Sequence, residues 1–427
     1  MLTVVTVVFT ASFLVGVPIA FCFGLAGGAY ILFWEALPPG LLVRRMYYAL
    51  DSFPLLAVPL FIMVGDLAER AGLIPRLVAW LKILVGWMRG GIAYMNVISM
   101  TIFSGISGTA IADLASLGRI MLGMMQKAGY DRGFSCALTA ATSMLGPIIP
   151  PSVAFIIYAL AVGNISIVGM FLAGALPGLV MALALLAWAW YKTRNDTQIE
   201  VYPRPSLREI GASTVQVLPI LVLPLIIIVG ITGGVVTVTE SAAIAVIYVL
   251  VIGFLFTREL RLRDIYQSTL YAATTSAVLG MLMGTGAIIS WILTRNQATA
   301  LLADFVASVS GDPVVYMLIS FAALTIIGTV MEATPMIIAL APLMAPVAAK
   351  LGIPDIQFGL VFCMTVLVGM ITPPVGLILF LTCTLGNISL ERLSWAILPF
   401  CILESVVILA VILFPPLTLW LPRSLGF

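Results

Sequence analysis

The chain has 427 residues, of which 62% are hydrophobic and only 9% are charged. A soluble protein of this length needs a polar surface that such a composition cannot supply, so we predict a protein dissolved in lipid. The net charge of +2 argues against nucleic acid as a partner. The sequence contains no histidine, which removes the commonest general base and argues against an enzyme. The five cysteines lie in apolar runs without metal-ligand spacing, and no cofactor is predicted.

Apolar runs of about 20 residues or more predict membrane-spanning helices, and hence an all-α polytopic fold. The first run begins at the N-terminus without the charged region and cleavage site of a signal peptide. In chain order, the predicted spans cover residues 9–34, 48–68, 134–164, 166–191, 212–231, 235–256, 267–292, 358–386 and 393–420.

Two further regions, residues 91–126 and 313–350, are apolar on both arms but polar in the middle. Their centres read SGISGTAIAD and GTVMEATP, which are rich in Gly and small hydroxyl side chains. We predict that each is a re-entrant hairpin whose tip is buried at membrane depth, where irregular backbone is tolerated only inside protein or beside water. Amphipathic stretches at residues 73–89 and 297–310 precede the hairpins and are predicted to be interfacial helices.

The distribution of Lys and Arg predicts the orientation. With a cytoplasmic N-terminus and alternating spans, 15 of the 20 basic residues fall on the cytoplasmic side. This orientation places the first hairpin on the cytoplasmic side and the second on the outer side.

A repeated motif divides the single predicted domain, residues 1–427, into two halves. GPIIPPSVAFIIYALAVGNIS at 146–166 and GMITPPVGLILFLTCTLGNIS at 369–389 are separated by 223 residues. Four spans lie between the two copies, so the second copy runs in the opposite direction. We therefore predict inverted repeats at about 9–191 and 235–420, an architecture typical of secondary transporters.

The prolines of these motifs are predicted to leave helical carbonyls without partners, because proline has no N–H. The carbonyls concerned are those of Gly146 and Pro147, Gly369 and Met370, and, before Pro335, Met331. Bare carbonyls in hydrocarbon cost several kcal/mol each, so we expect a small hard cation to coordinate them. The alternative is that the prolines only kink spanning helices, with waters or Ser and Thr side chains satisfying the backbone.

We predict two Na⁺ sites, one in each half, built from a hairpin tip and a broken helix. The first consists of Ser104, Gly105, Ser107, Thr109, Gly146 and Ile149. The second consists of Gly328, Thr329, Glu332, Thr334, Gly369 and Thr372.

Helix ends at the breaks would offer partial positive charge to an anionic substrate. Candidate substrate residues are Arg295, Ser152 and Asp113. The alternatives are that Arg295 snorkels to the interface and that Asp113 caps or pairs within its hairpin. Glu404, in the last span, is given no role beyond a buried hydrogen bond.

Several of these stretches resemble the large membrane subunit of a TRAP (tripartite ATP-independent periplasmic) transporter. The resembling segments are DSFPLLAVPLFIMVGDLAERAG (51–72), SGISGTAIAD (104–113), GPIIPPS (146–152), MEATPMIIALAPLMAPVAAKLGIPD (331–355) and TPPVG (372–376). The sequence departs from the family pattern at two places. Residues 237–240 read TVTE, where the family usually has Thr-Pro-Thr-Glu, and Thr109 replaces the last Ser of the Ser-Gly-Ser that is common in the first hairpin.

The resemblance implies sodium-coupled, elevator-type uptake of an organic acid (a carboxylate) across a bacterial inner membrane. It also implies two partners, a small four-helix membrane subunit and a periplasmic substrate-binding protein. No small-subunit segment precedes Met1, so that subunit is expected to be a separate polypeptide. The alternatives are a stand-alone cation-coupled dicarboxylate or organic-anion symporter and, less compatible with the hairpins, a channel. Proton coupling through Glu332 also remains open at this stage.

Overall fold

The computed structural model describes residues 2–34, 38, 40–197, 199, 201–309 and 311–427, and every regular element among them is helical. This confirms the predicted all-α fold class. The helices of the first half are α1 (Leu2–Leu14), α2 (Ile19–Trp34), α3 (Gly40–Leu50), α4 (Ala57–Arg70), α5 (Leu73–Val85), α6 (Gly91–Ser107), α7 (Ala110–Asp113), α8 (Arg119–Lys127), α9 (Arg132–Ser143), α10 (Val153–Val162) and α11 (Ile167–Thr193). A π-helical segment, Leu114–Gly118, joins α7 to α8.

The helices of the second half follow in a closely similar order. They are α12 (Leu207–Thr232), α13 (Val238–Val251), α14 (Leu262–Arg295), α15 (Ala298–Val309), α16 (Pro313–Gly328), α17 (Ala333–Lys350), α18 (Asp355–Ile371), α19 (Leu377–Gly386), α20 (Leu390–Leu413) and α21 (Pro416–Ser424). A π-helical segment, Ile252–Thr257, extends α13.

Fine details of the backbone recur at the 223-residue spacing. Asn164 and Asn387 both adopt positive φ, at 55° and 49°. Ser166 and Ser389 both cap the following helix, each accepting a hydrogen bond from the amide three residues on. Together with the matching helix bounds, these features show that corresponding segments of the two halves fold alike locally. The inversion of one half relative to the membrane stays a prediction.

Within the described part of the chain, six helices, or seven if the bent pair α3–α4 counts as one span, are long and apolar enough to cross a membrane. The prediction of a single span at 9–34 is wrong, because Gly16 and Pro18 end α1 and begin α2. The two helices pack side by side, with the Phe9 and Phe23 rings stacked at 5.4 Å. The orientation predicted from Lys and Arg, including the side on which the N-terminus lies, stays a prediction.

Two other predicted spans also have different limits in the structure. The span at 48–68 crosses a 66° bend between α3 and α4, at the short 3₁₀ helix Phe53–Leu56. The span at 393–420 ends at Leu413, because Pro415 and Pro416 stop α20 and begin α21. In both places proline supplies no amide to continue the preceding helix.

The long helix α14 lies between two groups of helices. It packs against α2, α3 and α4 and also against α17, which follows the second hairpin tip. Small residues make these contacts close: a Cβ at Gly27 would lie 2.5 Å from the Ile288 side chain. Close approach through glycine is a common way for membrane helices to associate. The second half of the chain therefore supplies the helix against which parts of both halves pack.

Candidate functional site

The first hairpin tip presses against the break between α9 and α10. Its α6 arm ends at Ser107, Gly108 adopts a φ of 67°, and Thr109 precedes α7. The Val153 amide, at the start of α10, donates to the Gly108 carbonyl at 3.4 Å. A Cβ at Gly108 would lie 2.6 Å from the Pro151 carbonyl oxygen, so only glycine fits this approach.

Asp113 is fully buried behind this tip. One carboxylate oxygen, Oδ1, accepts a hydrogen bond from the Ser107 hydroxyl. The other, Oδ2, has no hydrogen-bond partner among the described residues and faces Gly146, where any Cβ would overlap it. A buried carboxylate oxygen without a donor is costly, so this oxygen is suited to accept a cation or a proton. The structure thus brings Asp113 to the residues of the first predicted ion site.

The break between α9 and α10 spans residues 144–152 and ends at an N-cap. The Ser152 hydroxyl accepts from the Phe155 amide at 3.2 Å and donates to the Pro147 carbonyl at 2.5 Å. The prediction that the Pro147 carbonyl lacks a partner is therefore wrong, because a side chain replaces the missing amide. Ile149 packs its side chain towards Gly178 of α11. The role of the Gly146 carbonyl as an ion ligand stays a prediction.

Glu332 occupies the N-cap position of α17 at the second hairpin tip, with extended backbone (φ −66°, ψ 153°), but its side chain makes no capping hydrogen bond. Pro335 lies in the first turn of α17, where amide groups have no helical partner in any case. The prediction that Pro335 deprives the Met331 carbonyl of a helical bond is therefore wrong.

The second tip meets the break between α18 and α19 through backbone contacts. A Cβ at Gly369 would lie 2.7 Å from the Cα of Gly328, so α16 and α18 touch at two glycines. The Gly376 amide donates to the Thr329 carbonyl at 2.8 Å. The Gly369 carbonyl accepts from the Thr372 amide at 3.0 Å, so the prediction that it is bare is also wrong.

Three of the predicted hydroxyl ligands donate to carbonyls of their own helices. Ser104 donates to Met100 at 2.6 Å, Thr329 to Ile326 at 2.8 Å, and Thr372 to Val368 at 2.7 Å. Donation through the hydrogen leaves lone pairs on each oxygen, so these groups remain competent as cation ligands.

The two tips and the two breaks meet around a cavity of about 170 Å³, which we call the central cavity. Three predicted ion-site residues, Thr109, Glu332 and Thr334, line it. Pro147 lines it from the first break, Met370 from the last turn of α18 just before the second break, and Tyr271, Thr275 and Leu279 from α14. Residues separated by more than 200 positions in the sequence therefore share one small, mixed polar and apolar chamber.

Two more cavities follow the same face of α14. The vestibule, about 220 Å³, shares Thr109, Tyr271 and Thr275 with the central cavity and is also lined by Asp66, Glu69 and Arg119. Asp66 accepts hydrogen bonds from Arg70 at 2.6 Å and from Ser268.

The outer cavity, about 280 Å³, is lined by Arg45, Met283, Ser290, Trp291 and Thr294. None of its described lining residues is shared with the central cavity. The central cavity is therefore contiguous with the vestibule, at the end predicted to be cytoplasmic, and separate from the outer cavity.

Neither Arg295, Ser152 nor Asp113 is among the described residues that line the central cavity. Arg295 is exposed at the end of α14, with its guanidinium 5.5 Å from the Trp291 ring, beside the outer cavity. Glu404 is fully buried in α20, and neither of its carboxylate oxygens has a partner among the described residues.

The sequence prediction missed the contribution of α14. Tyr271 and Thr275 line the vestibule and the central cavity, and Ser290 and Thr294 line the outer cavity. The signal was present, because within each pair the residues are four positions apart and share one helix face.

Comparison with known proteins identifies the family to which the chain belongs. The family model described as "Tripartite ATP-independent periplasmic transporter, DctM component" matches residues 6–417. The chain belongs to this family. It is 38% identical over 413 residues to the uncharacterized protein YgiK of Salmonella typhimurium, covering 96% of this chain and 94% of YgiK.

The sialic acid TRAP transporter large permease protein SiaM of Vibrio cholerae is 33% identical over 408 residues, covering 96% of this chain and 95% of SiaM. The chain is therefore a multi-pass membrane protein of a family of secondary transporters for organic acids, and not an enzyme. This confirms the family resemblance. The family also implies a small membrane subunit and a periplasmic binding protein as partners.

Among solved structures, the Alcanivorax borkumensis YdaH transporter matches with a TM-score of 0.66 at 16% identity, covering 92% of each chain. At this identity the match supports only the fold of the chain and says nothing about its role.

Proposed function

We propose that this chain is the large permease subunit of a TRAP transporter that couples uptake of an organic carboxylate to sodium. The observation that carries the proposal is the central cavity, where both hairpin tips meet both broken helices. We further propose that the protein lies in a bacterial inner membrane, beside a small four-helix subunit. A periplasmic binding protein would deliver the carboxylate to the outer side.

The first ion site is proposed to use Ser104, Gly105, Ser107, Thr109, Gly146 and Ile149, with Asp113 supplying negative charge. The second would use Gly328, Thr329, Glu332, Thr334, Gly369 and Thr372. The Gly328–Gly369 contact favours this arrangement, because it holds a hairpin and a broken helix together with no side chain between them. A cation bridging such elements would stabilise them in one geometry.

The substrate is proposed to bind in the central cavity, next to the two tips. A carboxylate there would lie near the N-termini of α7 and α17, and α17 is long enough to offer a helix dipole. Glu332 and an anionic substrate repel each other unless a cation or proton lies between them, so ion and substrate binding would be coupled. Arg295 is proposed to meet the carboxylate first, at the outer end of α14.

Transport is proposed to be elevator-like, with the tips and broken helices moving along α14. The support for this is the series of cavities along a single face of that helix. In the conformation described, the substrate would leave through the vestibule past Arg119.

The test is thermal unfolding of the purified permease in NaCl, KCl and choline chloride at equal ionic strength. A ligand that binds only the folded state raises stability by about 2.7 kcal/mol at 100 times its Kd. We expect a higher unfolding temperature in Na⁺ alone, and a reduced Na⁺ effect in Thr334→Ala.

Thr274→Ala is the matched control, because the Thr274 hydroxyl is exposed and bonds only within α14, to Leu270 at 2.9 Å and Tyr271 at 3.0 Å. If the three salts stabilise the wild-type protein equally, sodium does not bind the described conformation and this proposal fails. If both threonine variants lose the same fraction of the effect, the ion does not lie at the second tip.

A further inference from the structure

A separate cavity of about 390 Å³ lies away from α14, where α11 ends and α9 and α20 begin. We call it the Trp188 cavity, and its walls include Tyr130, Phe134, Trp188, Lys192, Trp395 and Phe400. It shares no lining residue with the central, vestibule or outer cavity as described above.

Five of its lining residues are aromatic, and the rings of Phe134, Trp188 and Phe400 pack against one another. The Phe134 and Phe400 centroids are 6.2 Å apart, and Trp188 meets Phe400 edge-on at 6.4 Å. Trp395, by contrast, is 73% exposed on the outside of the protein. The cavity therefore joins a packed aromatic interior to the surface of the helix bundle.

Two buried polar atoms of this wall, the Tyr130 hydroxyl and the Trp188 indole nitrogen, have no hydrogen-bond partner among the described residues. A buried indole N–H usually finds an acceptor, and leaving it unpaired is costly. The Lys192 ammonium lies close by, 5.4 Å from the centre of the Trp188 ring. An occupant should therefore offer both an acceptor and negative charge.

The two acids in the lining do not oppose a negative occupant strongly. Asp131 pairs with Arg392 at 2.7 Å and accepts from the Phe134 amide at 2.9 Å. Asp196 also already has an interaction partner. Lys192 thus remains the basic group of this wall, stacked on an aromatic ring and exposed to solvent.

The location indicates the kind of occupant. The cavity lies at helix ends beside Lys192, Arg194 and Arg392, on the side predicted to be cytoplasmic. Tryptophan, tyrosine and basic residues concentrate where helices pass through the headgroup region of a bilayer. Basic pockets between membrane helices on that side are suited to anionic lipid headgroups.

We propose that the Trp188 cavity binds the phosphodiester headgroup of a membrane phospholipid. The phosphodiester would contact Lys192, and an ester carbonyl of the glycerol backbone would accept from the Trp188 indole. The acyl chains would leave past Trp395 along the outer surface of α20. This site goes beyond the proposed transport function and does not depend on it.

The experiment measures thermal unfolding of the purified permease in detergent while one lipid is titrated. Phosphatidylglycerol is compared with diacylglycerol carrying the same acyl chains, which lacks the phosphodiester, and with soluble glycerol phosphate. We expect a saturable rise in the unfolding temperature with phosphatidylglycerol alone. Lys192→Gln and Trp188→Phe should each weaken its apparent affinity about fivefold, the effect of one lost charge or hydrogen bond.

Lys82→Gln is the matched control, since Lys82 also stacks on an aromatic ring, Tyr202, at 3.9 Å but does not line the Trp188 cavity. Its phosphatidylglycerol affinity should equal that of the wild-type protein. Equal shifts with phosphatidylglycerol and diacylglycerol would overturn the proposal, as would equal affinities in all three variants. A response to glycerol phosphate as strong as that to the lipid would assign the site to a soluble phosphate instead. If Lys192→Gln does not fold, Trp188→Phe still decides between these outcomes.

Discussion

The contact between Gly328 and Gly369 predicts that a single methyl group will force two helices apart. In Gly369→Ala the new Cβ would lie 2.7 Å from the Gly328 Cα, 2.9 Å from its carbonyl carbon and 3.0 Å from the Thr325 carbonyl oxygen. Carbon atoms in ordinary contact are about 3.5–4.0 Å apart. All three neighbours are backbone atoms, so the overlap of about 1 Å can be relieved only by moving α16 away from α18.

The expected cost follows from two terms. Overpacking a rigid contact destabilises by about 1–3 kcal/mol. Replacing a helical glycine by alanine without a clash stabilises by up to about 1 kcal/mol, because alanine loses less backbone entropy on folding. Gly28→Ala in α2 isolates the second term, since nothing lies within 4 Å of a Cβ at that position.

The measurement is the unfolding temperature of both variants and the wild-type protein in Na⁺ and in choline. We expect Gly28→Ala to unfold at or above the wild-type temperature and Gly369→Ala to unfold below it. The difference in stability between the two variants should be about 1–3 kcal/mol, because the entropy term is common to both and only the overpacking term separates them. The Na⁺ response should also fall in Gly369→Ala, because the second tip and the second break would separate. A Gly369→Ala protein as stable as Gly28→Ala would show that α16 and α18 do not touch there.

Three further predictions test individual bonds. Ser152→Ala should lower stability by about 1–3 kcal/mol in denaturation measurements, because it removes an N-cap and leaves the buried Pro147 carbonyl without its donor; no change would mean that water replaces the hydroxyl. Arg392→Ala should change stability by less than about 1 kcal/mol, since the Arg392–Asp131 pair is exposed, and a larger loss would refute this assignment. Asp113→Asn should weaken Na⁺ binding at least about tenfold (1.4 kcal/mol) in the salt-dependent unfolding assay, whereas unchanged binding would exclude its carboxylate from the first ion site.

Glycine and proline made the irregular parts of this fold predictable. A Pro-Pro pair cannot continue a helix, so both breaks were found at the correct residues of the long motifs. Glu332 was predicted at a hairpin tip because Thr334 and Pro335 follow it, and in the structure it lies at the N-cap position of α17. These signals are local, so they needed no knowledge of the neighbouring helices.

Errors arose where a partner from elsewhere in the chain, or a second local signal, decided the outcome. The Pro147 carbonyl was predicted to be bare because proline has no amide, but the alternative of a Ser or Thr donor holds there, since the Ser152 hydroxyl turns back to it. Asp113 was a candidate substrate residue, with pairing inside its hairpin as the alternative, and in the structure its carboxylate accepts a hydrogen bond from Ser107 of the same hairpin. The direction of the Asp113 carboxylate, towards Gly146, depends on how α7 packs against the break between α9 and α10. The spacing of residues in the sequence does not determine that packing.

The division of 9–34 into two helices could have been predicted, since Gly16 and Pro18 interrupt it. Continuous hydrophobicity outweighed them in the prediction, because a long apolar run looks the same whether it forms one helix or two. The role of α14 was harder to recognise. Its polar side chains on the cavity face are few and separated by apolar residues, so they stand out only when the opposite wall is known.

The sequence of polar and apolar groups along α14 has an electrical consequence. Tyr271 and Thr275 lie towards one end of the cavity-lining residues of α14 and Ser290 and Thr294 towards the other, while Leu279, Met283 and Ala287 lie between them. The polar ends can hydrogen-bond water, but the three side chains between them offer it no hydrogen bond. We expect the membrane voltage to fall mostly across this short insulating section, not across the whole bilayer. An ion carried past these three side chains would then experience nearly the full potential, about 2.3 kcal/mol per charge for each 100 mV.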